Sequence, residues 1–236
     1  MKAKVIKRIL IVLGAVTAVL MMIIGFFAVK GAVMWNDART RSPIEQTVSE
    51  MRSRENFVKY DELPEFYIKA VISTEDRKFE THNGINVKSI IRAMIYDVRS
   101  LSFEQGGSTI TQQLAKNLWF TQEKRLERKF AEVYAAFTLE KTLSKQEIFE
   151  LYVNSIYFGS GYYGIADAAR GYFGKNVAEL SDYECAMLAG LPNAPSAYSP
   201  NASPELAQRR LTLVLNSMKN NGVLTADQAE EVLAAA

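Results

Sequence analysis

Residues 124–155 read KRLERKFAEVYAAFTLEKTLSKQEIFELYVNS, and their spacing decides the fold class. Apolar residues stand at Leu126, Phe130, Val133 and Phe137, at intervals of 4, 3 and 4. That is the period of one helix face and not the alternation of a strand. The spacing predicts an amphipathic helix over Lys124–Leu143. Ser144 followed by Glu147 is a capping box, in which hydroxyl and carboxylate each satisfy a backbone amide at the helix start. It predicts a second helix running to about Ser155.

The same signals recur on either side. Ser181 and Glu184 repeat the box before an apolar run to Leu191, and Thr225 with Gln228 opens a last helix. Ser203-Pro204 opens a helix expected to stop near Asn221-Gly222. Pro64 can start one running through Thr74. Apolar positions Val87, Ile90, Ile91, Met94, Ile95 and Val98 predict a helix over Val87–Arg99. Period-two alternation is scarce, so strands should be few and short. The expected class is mainly α, without internal repeats or low-complexity tracts.

The 236 residues suffice for one globular domain plus an appendage. Ile9–Val29 is an uncharged run of 21 residues. At about 1.5 Å per residue it spans the roughly 30 Å of a bilayer core. Lys2, Lys4, Lys7 and Arg8 precede it, so the N-terminus should stay cytoplasmic and the rest be exported. A cleaved signal peptide usually has a shorter apolar run, so a retained single-pass anchor is expected. Trp35 reads as an interfacial aromatic beyond it. The expected divisions are a basic tail (1–8), the anchor (9–29), a juxtamembrane linker (30–57) and the folded body (58–236). Deleting residues 1–35 should then leave a folded, active body. Net charge is +2, but the four early cations leave the remainder with 24 cations against 26 acids. This argues against a nucleic-acid-binding surface. A single cysteine, Cys185, and a single histidine, His82, exclude an intrachain disulfide and multi-cysteine or multi-histidine metal sites.

Three polar clusters could carry chemistry. STEDRKFETHNG (73–84) places Glu75, Asp76 and Arg77 just after an apolar helix. Burial raises a carboxylate pKa and a cation lowers it, which can tune a general base; a solvated helix end would look the same. GGSTITQQLAKN (106–117) offers a double glycine and Lys116. Amides at such a helix start can face an anion. A capping box of Thr109 and Gln112 accounts for part of this run, but not for Gln113. Lys124, Arg125, Arg128, Lys129 and Glu132 form the third cluster, with 125, 128/129 and 132 sharing a helix face; a solvated charged face is the alternative. Taken together, paired carboxylates suit glycosyl chemistry, clustered cations suit a phosphate leaving group, and an anchor suits a lipid-linked substrate.

EDRKFETHNG (75–84), GGSTITQQLAKN (106–117), RKFAEVYAAFTLE (128–140) and LSKQEIFELYVNSIYFGSGYYGI (143–165) resemble the peptidoglycan glycosyltransferase family. That is the transglycosylase domain of class A penicillin-binding proteins and of their monofunctional relatives. The likeness covers about Val58 to Ala234. It implies a lysozyme-like, two-lobed, mostly helical domain, with the smaller, membrane-touching lobe around the segment between the first two motifs and just beyond. It also implies polymerisation of lipid II into glycan strands, with Glu75 as general base and Glu132 assisting at the donor end. Ser108, Lys116, Arg128 and Lys129 map to the donor pyrophosphate site, and Asp76, Arg77, Gln112 and Gln113 to the remaining polar motif positions. Lys124 stands where many relatives carry arginine, with Arg125 next to it, so either could be the pyrophosphate contact. Ala131 stands where some carry lysine. No resident cofactor is implied; a divalent cation, Mg or Mn, often helps the family, and no dedicated cage is legible. Expected partners are lipid II, the growing lipid-linked glycan, the membrane and other cell-wall synthesis proteins, with the catalytic body on the extracytoplasmic side of the cell membrane.

No serine is followed at +3 by lysine and no Lys-Thr-Gly occurs, so a transpeptidase nucleophile is absent from this sequence. The expectation is a monofunctional glycosyltransferase or a piece cut before a transpeptidase domain. Two other readings stand beside it. A glycan hydrolase on the same scaffold would have no pyrophosphate to hold with these cations. A catalytically dead scaffold would not need both glutamates.

Overall fold

The computed structural model describes residues 2–92, 106–121, 123 and 125–235. Its helices are α1 (Lys2–Arg41), α2 (Ile44–Arg52), α3 (Glu65–Glu75), α4 (described over 87–92), α5 (Ile110–Trp119), α6 (Leu126–Thr142), α7 (Lys145–Ser155), α8 (Ile165–Phe173), α9 (Asp182–Gly190), the single turn α10 (Pro195–Tyr198), α11 (Pro204–Asn220) and α12 (Ala226–Ala234). The only strand-like feature among the described residues is an isolated antiparallel bridge between Tyr157 and Tyr163. The molecule is mainly α, with one N-terminal helix long and apolar enough to cross a membrane.

The capping boxes form as their spacing requires. Ser144 accepts from the Glu147 amide at 3.2 Å and Glu147 Oε2 accepts from the Ser144 amide at 2.9 Å. Ser181/Glu184 and Thr225/Gln228 do the same at the starts of α9 and α12. Each such cap is worth roughly 1 kcal/mol. Gly222, in the left-handed region at φ 71°, lies just past the end of α11. Residues 93–99 of the helix expected to reach Arg99, and most of the segment expected to form the smaller lobe, lie outside the described residues.

Two helix sets build the core. α3, α9 and α11 pack together around Tyr67, Ala70, Leu188, Leu211 and Val214, while α5 packs against α6 and α7 around Ile110, Leu114, Leu139, Ile148 and Tyr152. Cys185, in α9, is fully buried, and burial pushes its thiol pKa up to about 12. Native protein at pH 8 should therefore give no thiol signal with Ellman's reagent, and one thiol per chain once unfolded in guanidinium. Prompt reaction of the native protein would contradict this packing.

The stretch expected to be a linker passing into a short helix or extended segment is helical in its first part, and a short helix follows. α1 does not end at Val29 but continues to Arg41, and beyond the apolar run it packs along α6. Trp35, expected at the membrane interface, is only 5% exposed and belongs to the core. Its Nε1 donates to Thr138 Oγ1 at 3.2 Å, and its ring meets Trp119 edge-on at 5.4 Å. Truncating such a tryptophan costs about 3–5 kcal/mol, so deleting residues 1–35 would remove part of the folded body. α2 follows after a break at Ser42-Pro43, and buries Ile44, Val48 and Met51.

Candidate functional site

Glu75 is the last residue of α3. The helix delivers its carboxylate to the meeting point of the two helix sets. Gln113 Nε2, from α5, donates to Glu75 Oε2 at 2.9 Å, and Arg210, from α11, stands 3.7 Å from Oε1. Tyr152 OH lies 3.5 Å from Gln113 Oε1, which orients the amide with its NH2 toward the carboxylate. Burial raises the Glu75 pKa above the usual glutamate range, and the Gln113 hydrogen bond and Arg210 oppose that rise.

The next residue turns the other way. Asp76 Oδ2 accepts from the Ile110 amide at 3.1 Å and lies 2.7 Å from His82 Nε2. The Gly84 amide donates to His82 Nδ1 at 3.0 Å, which leaves Nε2 facing Asp76. Asp76 and His82 thus tie the first motif to the start of α5. Thr109 Oγ1 adds a 2.6 Å bond to the Gly84 carbonyl. Gly84 has φ 96°, and a Cβ there would stand 3.0 Å from the Ala136 carbonyl carbon, so only glycine lets this loop lie on α6.

The second carboxylate sits on α6. Glu132 is 2% exposed, and its Oε2 accepts from Lys129 Nζ at 2.9 Å. The same ammonium donates to Ser108 Oγ at 2.7 Å. Arg128 Nε faces Glu132 Oε1 at 3.3 Å, and Arg128 Nη1 donates to the Thr121 carbonyl. Lys116 lies between the two acidic centres. Burial lowers its pKa, Glu132 and Glu75 pull it back up, and Arg128 and Lys129 push it down.

Glu75, Ser108, Gln113, Lys116 and Arg210 line a polar cleft, and Lys129, with Glu132 behind it, joins it through Ser108. One cavity of about 390 Å³ is lined by Glu75, Ser108, Gln113, Lys116, Asn193 and Arg210, among others. A second, of about 380 Å³, extends past Glu75 to Arg77, Asn86, Ser217 and Asn221. Both open onto Glu75, Thr74 and Ser108. A carboxylate between two polar cavities, both lined by cations, can take a proton from one substrate while a negative leaving group develops on another. A larger cavity of about 540 Å³ between α3, α9 and α12 holds none of the motif residues.

The structure therefore brings together Glu75, Ser108, Gln113, Lys116, Arg128, Lys129 and Glu132. Exposed Arg77 lines the second cavity. Asp76 borders it too, although its Oδ2 is engaged internally. Gln112 is not brought to the cleft. It is 1% exposed, and the local capping box accounts for its Oε1, which accepts from the Thr109 amide, while its buried Nε2 has no hydrogen-bond partner among the described residues. Arg125 is also apart: it is the residue before α6, exposed, and paired with Glu123 and Glu127 at 3.5 Å each. Lys124 lies outside the described residues. Sequence reasoning missed Arg210 and Tyr152. Arg210 carried no local signal, since it sits 135 positions after Glu75 in an ordinary amphipathic helix.

A family model described as Transglycosylase matches residues 41–219. It begins before Val58, where the sequence reading placed the start of the body, and so includes α2. Penicillin-binding protein 1A of Aquifex aeolicus is 50% identical over 177 residues, covering 75% of this chain and 24% of that protein. Penicillin-binding protein 1A of Neisseria flavescens is 46% identical over 180 residues, covering 76% and 23%. The chain spans about a quarter of the length of these relatives. The crystal structure of penicillin-binding protein 1A from Haemophilus influenzae superposes with a TM-score of 0.45 at 26% identity, covering 75% of this chain and 17% of that one.

Proposed function

The chain belongs to the transglycosylase family, and from that premise we propose that it is a membrane-anchored peptidoglycan glycosyltransferase that polymerises lipid II. The observation that carries the reading is the largely buried carboxylate of Glu75 between two polar cavities, one of them lined by Lys116. In the proposed reaction Glu75 takes the proton of the acceptor GlcNAc 4-hydroxyl. The freed oxygen attacks C1 of the donor MurNAc from the face opposite the leaving group. The C1–O bond to pyrophosphate breaks, its electron pair leaves with undecaprenyl pyrophosphate, and the configuration at C1 inverts. Lys116 and Lys129 face the charge that develops on the pyrophosphate. Glu132, nearly buried, acts at the donor end by holding Lys129 and Arg128 in place. No step is assigned to a divalent cation. Among the described residues no three acidic, histidine or cysteine side chains come together to hold one. A Mg or Mn ion would then take ligands from the substrate pyrophosphate itself.

The helix of 9–29 anchors the protein, and the cations before it favour a cytoplasmic N-terminus, which puts the catalytic body outside. Partners among other cell-wall synthesis proteins belong to the same proposal. Finished, lipid-free glycan separates this reading from hydrolysis. It should stay at its original length in the presence of the protein, and shortening would overturn the transferase assignment.

The reading also sets a pH dependence. A base must be ionised, so turnover should fall on acidification through the raised Glu75 pKa, at a pH above the ordinary glutamate range. Arg210 favours the ionised form, so Arg210→Gln should move this acid limb to higher pH. A kcat/KM profile from pH 4 to 8 checks it; a limb that stays put or moves down contradicts the pairing.

A further inference from the structure

We propose that the extramembrane end of α1 is a working part of the site, with Gly31 and Trp35 as positioning residues that set where α6 presents Arg128, Lys129 and Glu132. The proposal rests on the glycosyl-transfer reading above. A Cβ on Gly31 would run into Phe130 Cβ and would stand 2.8 Å from the Ala131 amide nitrogen and 2.9 Å from the Glu127 carbonyl oxygen. Two of these three atoms are backbone, which cannot swing aside as a side chain can. They bracket the turn that carries Arg128 and Lys129, and Glu132 follows immediately. One turn further along α1, Trp35 donates to Thr138 of α6 and packs edge-on against Trp119, the last residue of α5. Trp119 Nε1 in turn donates to the Ser42 carbonyl just beyond α1, at 2.8 Å. Lys116 lies three residues before Trp119.

The end of α1 therefore clamps α6, which carries Arg128 and Lys129, and α5, which carries Lys116, with the Gly31 and Trp119 contacts within a turn of those cations. Elsewhere on the same helix the situation is opposite: a Cβ on Gly14 or Gly25 meets nothing within 4 Å. Anchoring alone would require only the apolar run. The close approach at Gly31 and the buried tryptophan fix the distance between the anchor and α6, and a displacement of about 1 Å at a reacting centre can cost 10²-fold.

The test uses the full chain in detergent micelles with lipid II as substrate, and compares Gly31→Ala with Gly25→Ala. The protein's two tryptophans, Trp35 and Trp119, both lie at this joint, so intrinsic emission reports it without reference to activity. Gly31→Ala should shift that emission and raise KM for lipid II about 10-fold, with the acid limb set by Glu75 left in place. Gly25→Ala should stay within about 2-fold of wild type in both kinetic constants, with unchanged emission. Equal behaviour of the two variants would overturn the proposal, as would a Gly31→Ala loss that matches the unfolded fraction seen in its thermal melt. If Gly31→Ala does not fold, Trp35→Phe decides: it keeps a ring and loses the bond to Thr138, and should raise KM in the same direction by a smaller factor. An unchanged KM in that variant overturns the proposal. A wild-type chain that leaves lipid II untouched overturns the glycosyl-transfer reading instead, while the emission comparison still reports the joint.

Discussion

Glu75→Gln is expected to lower the single-turnover rate of strand extension by about 10²–10⁴-fold, the usual contribution of general-base catalysis, without lowering the melting temperature. Gln fills the same volume and keeps an acceptor for Gln113 Nε2, now 2.9 Å from Glu75 Oε2. It has no carboxylate to deprotonate the acceptor. The sign of the stability effect follows from linkage. Burial raises the Glu75 pKa, so the folded state holds that proton more tightly than the unfolded chain does. The resulting stabilisation is complete below the ordinary glutamate pKa and is lost as pH rises through the raised value. At neutral pH the ionised carboxylate is thus a burden on the fold, relieved in part by Arg210, and the neutral amide removes that burden. Single-turnover kinetics beside a thermal melt check both halves. A near wild-type rate would remove Glu75 as the base. A sharply lowered melting temperature would show that its ionised form supports the fold.

Lys116→Ala carries the second large effect. A charge-assisted contact to the leaving pyrophosphate is worth about 1.5–3 kcal/mol, so turnover should drop roughly 10- to 160-fold. Burial already disfavours the ammonium, so the fold should not suffer at neutral pH. Arg125→Ala is the matched control. That residue is exposed and paired with Glu123 and Glu127, away from the cleft, and its loss should change turnover by less than about 2-fold. Arg128→Ala is less clean, because Arg128 also holds the Thr121 carbonyl and faces the buried Glu132, so its loss mixes folding with catalysis. Steady-state kcat for Lys116→Ala and Arg125→Ala, measured side by side, decides the assignment. Similar losses in both would contradict it.

What could be read from the sequence was whatever both partners of an interaction declare locally. Ser144 with Glu147, Ser181 with Glu184 and Thr225 with Gln228 lie three residues apart, so the same spacing that suggested the helix starts also satisfies them. The α6 helix was legible in the same way, but not the face it buries: Leu126 and Phe137 of the expected stripe are exposed, while Ala131, Ala135, Ala136 and Leu139 face the core. Gln112 had two readings, a capping-box partner from the spacing and a polar motif position from the resemblance, and its Oε1 does take the Thr109 amide as the spacing required. Arg125 shows another limit. Helical spacing put it on the face of Arg128 and Glu132, yet α6 begins one residue later and the local acids hold it outside. Long-range contacts left no trace. Trp35 and Thr138 are 103 residues apart, and a tryptophan after an apolar run fits an interfacial anchor as well as a buried joint. The true end of α1 was hidden because Asn36, Asp37 and Arg39 look like a linker, although they are the solvent face of a helix whose other face, Trp35 and Ala38, is buried.

The proposed reaction transfers a disaccharide from a lipid pyrophosphate onto a sugar hydroxyl. It is tested most directly by incubating the full chain with purified lipid II, resolving the products by length, and measuring the lipid pyrophosphate released. The expected result is a ladder of strands growing by one disaccharide, with one undecaprenyl pyrophosphate freed for each bond formed. Unchanged lipid II, or free disaccharide released by water without a ladder, would contradict it.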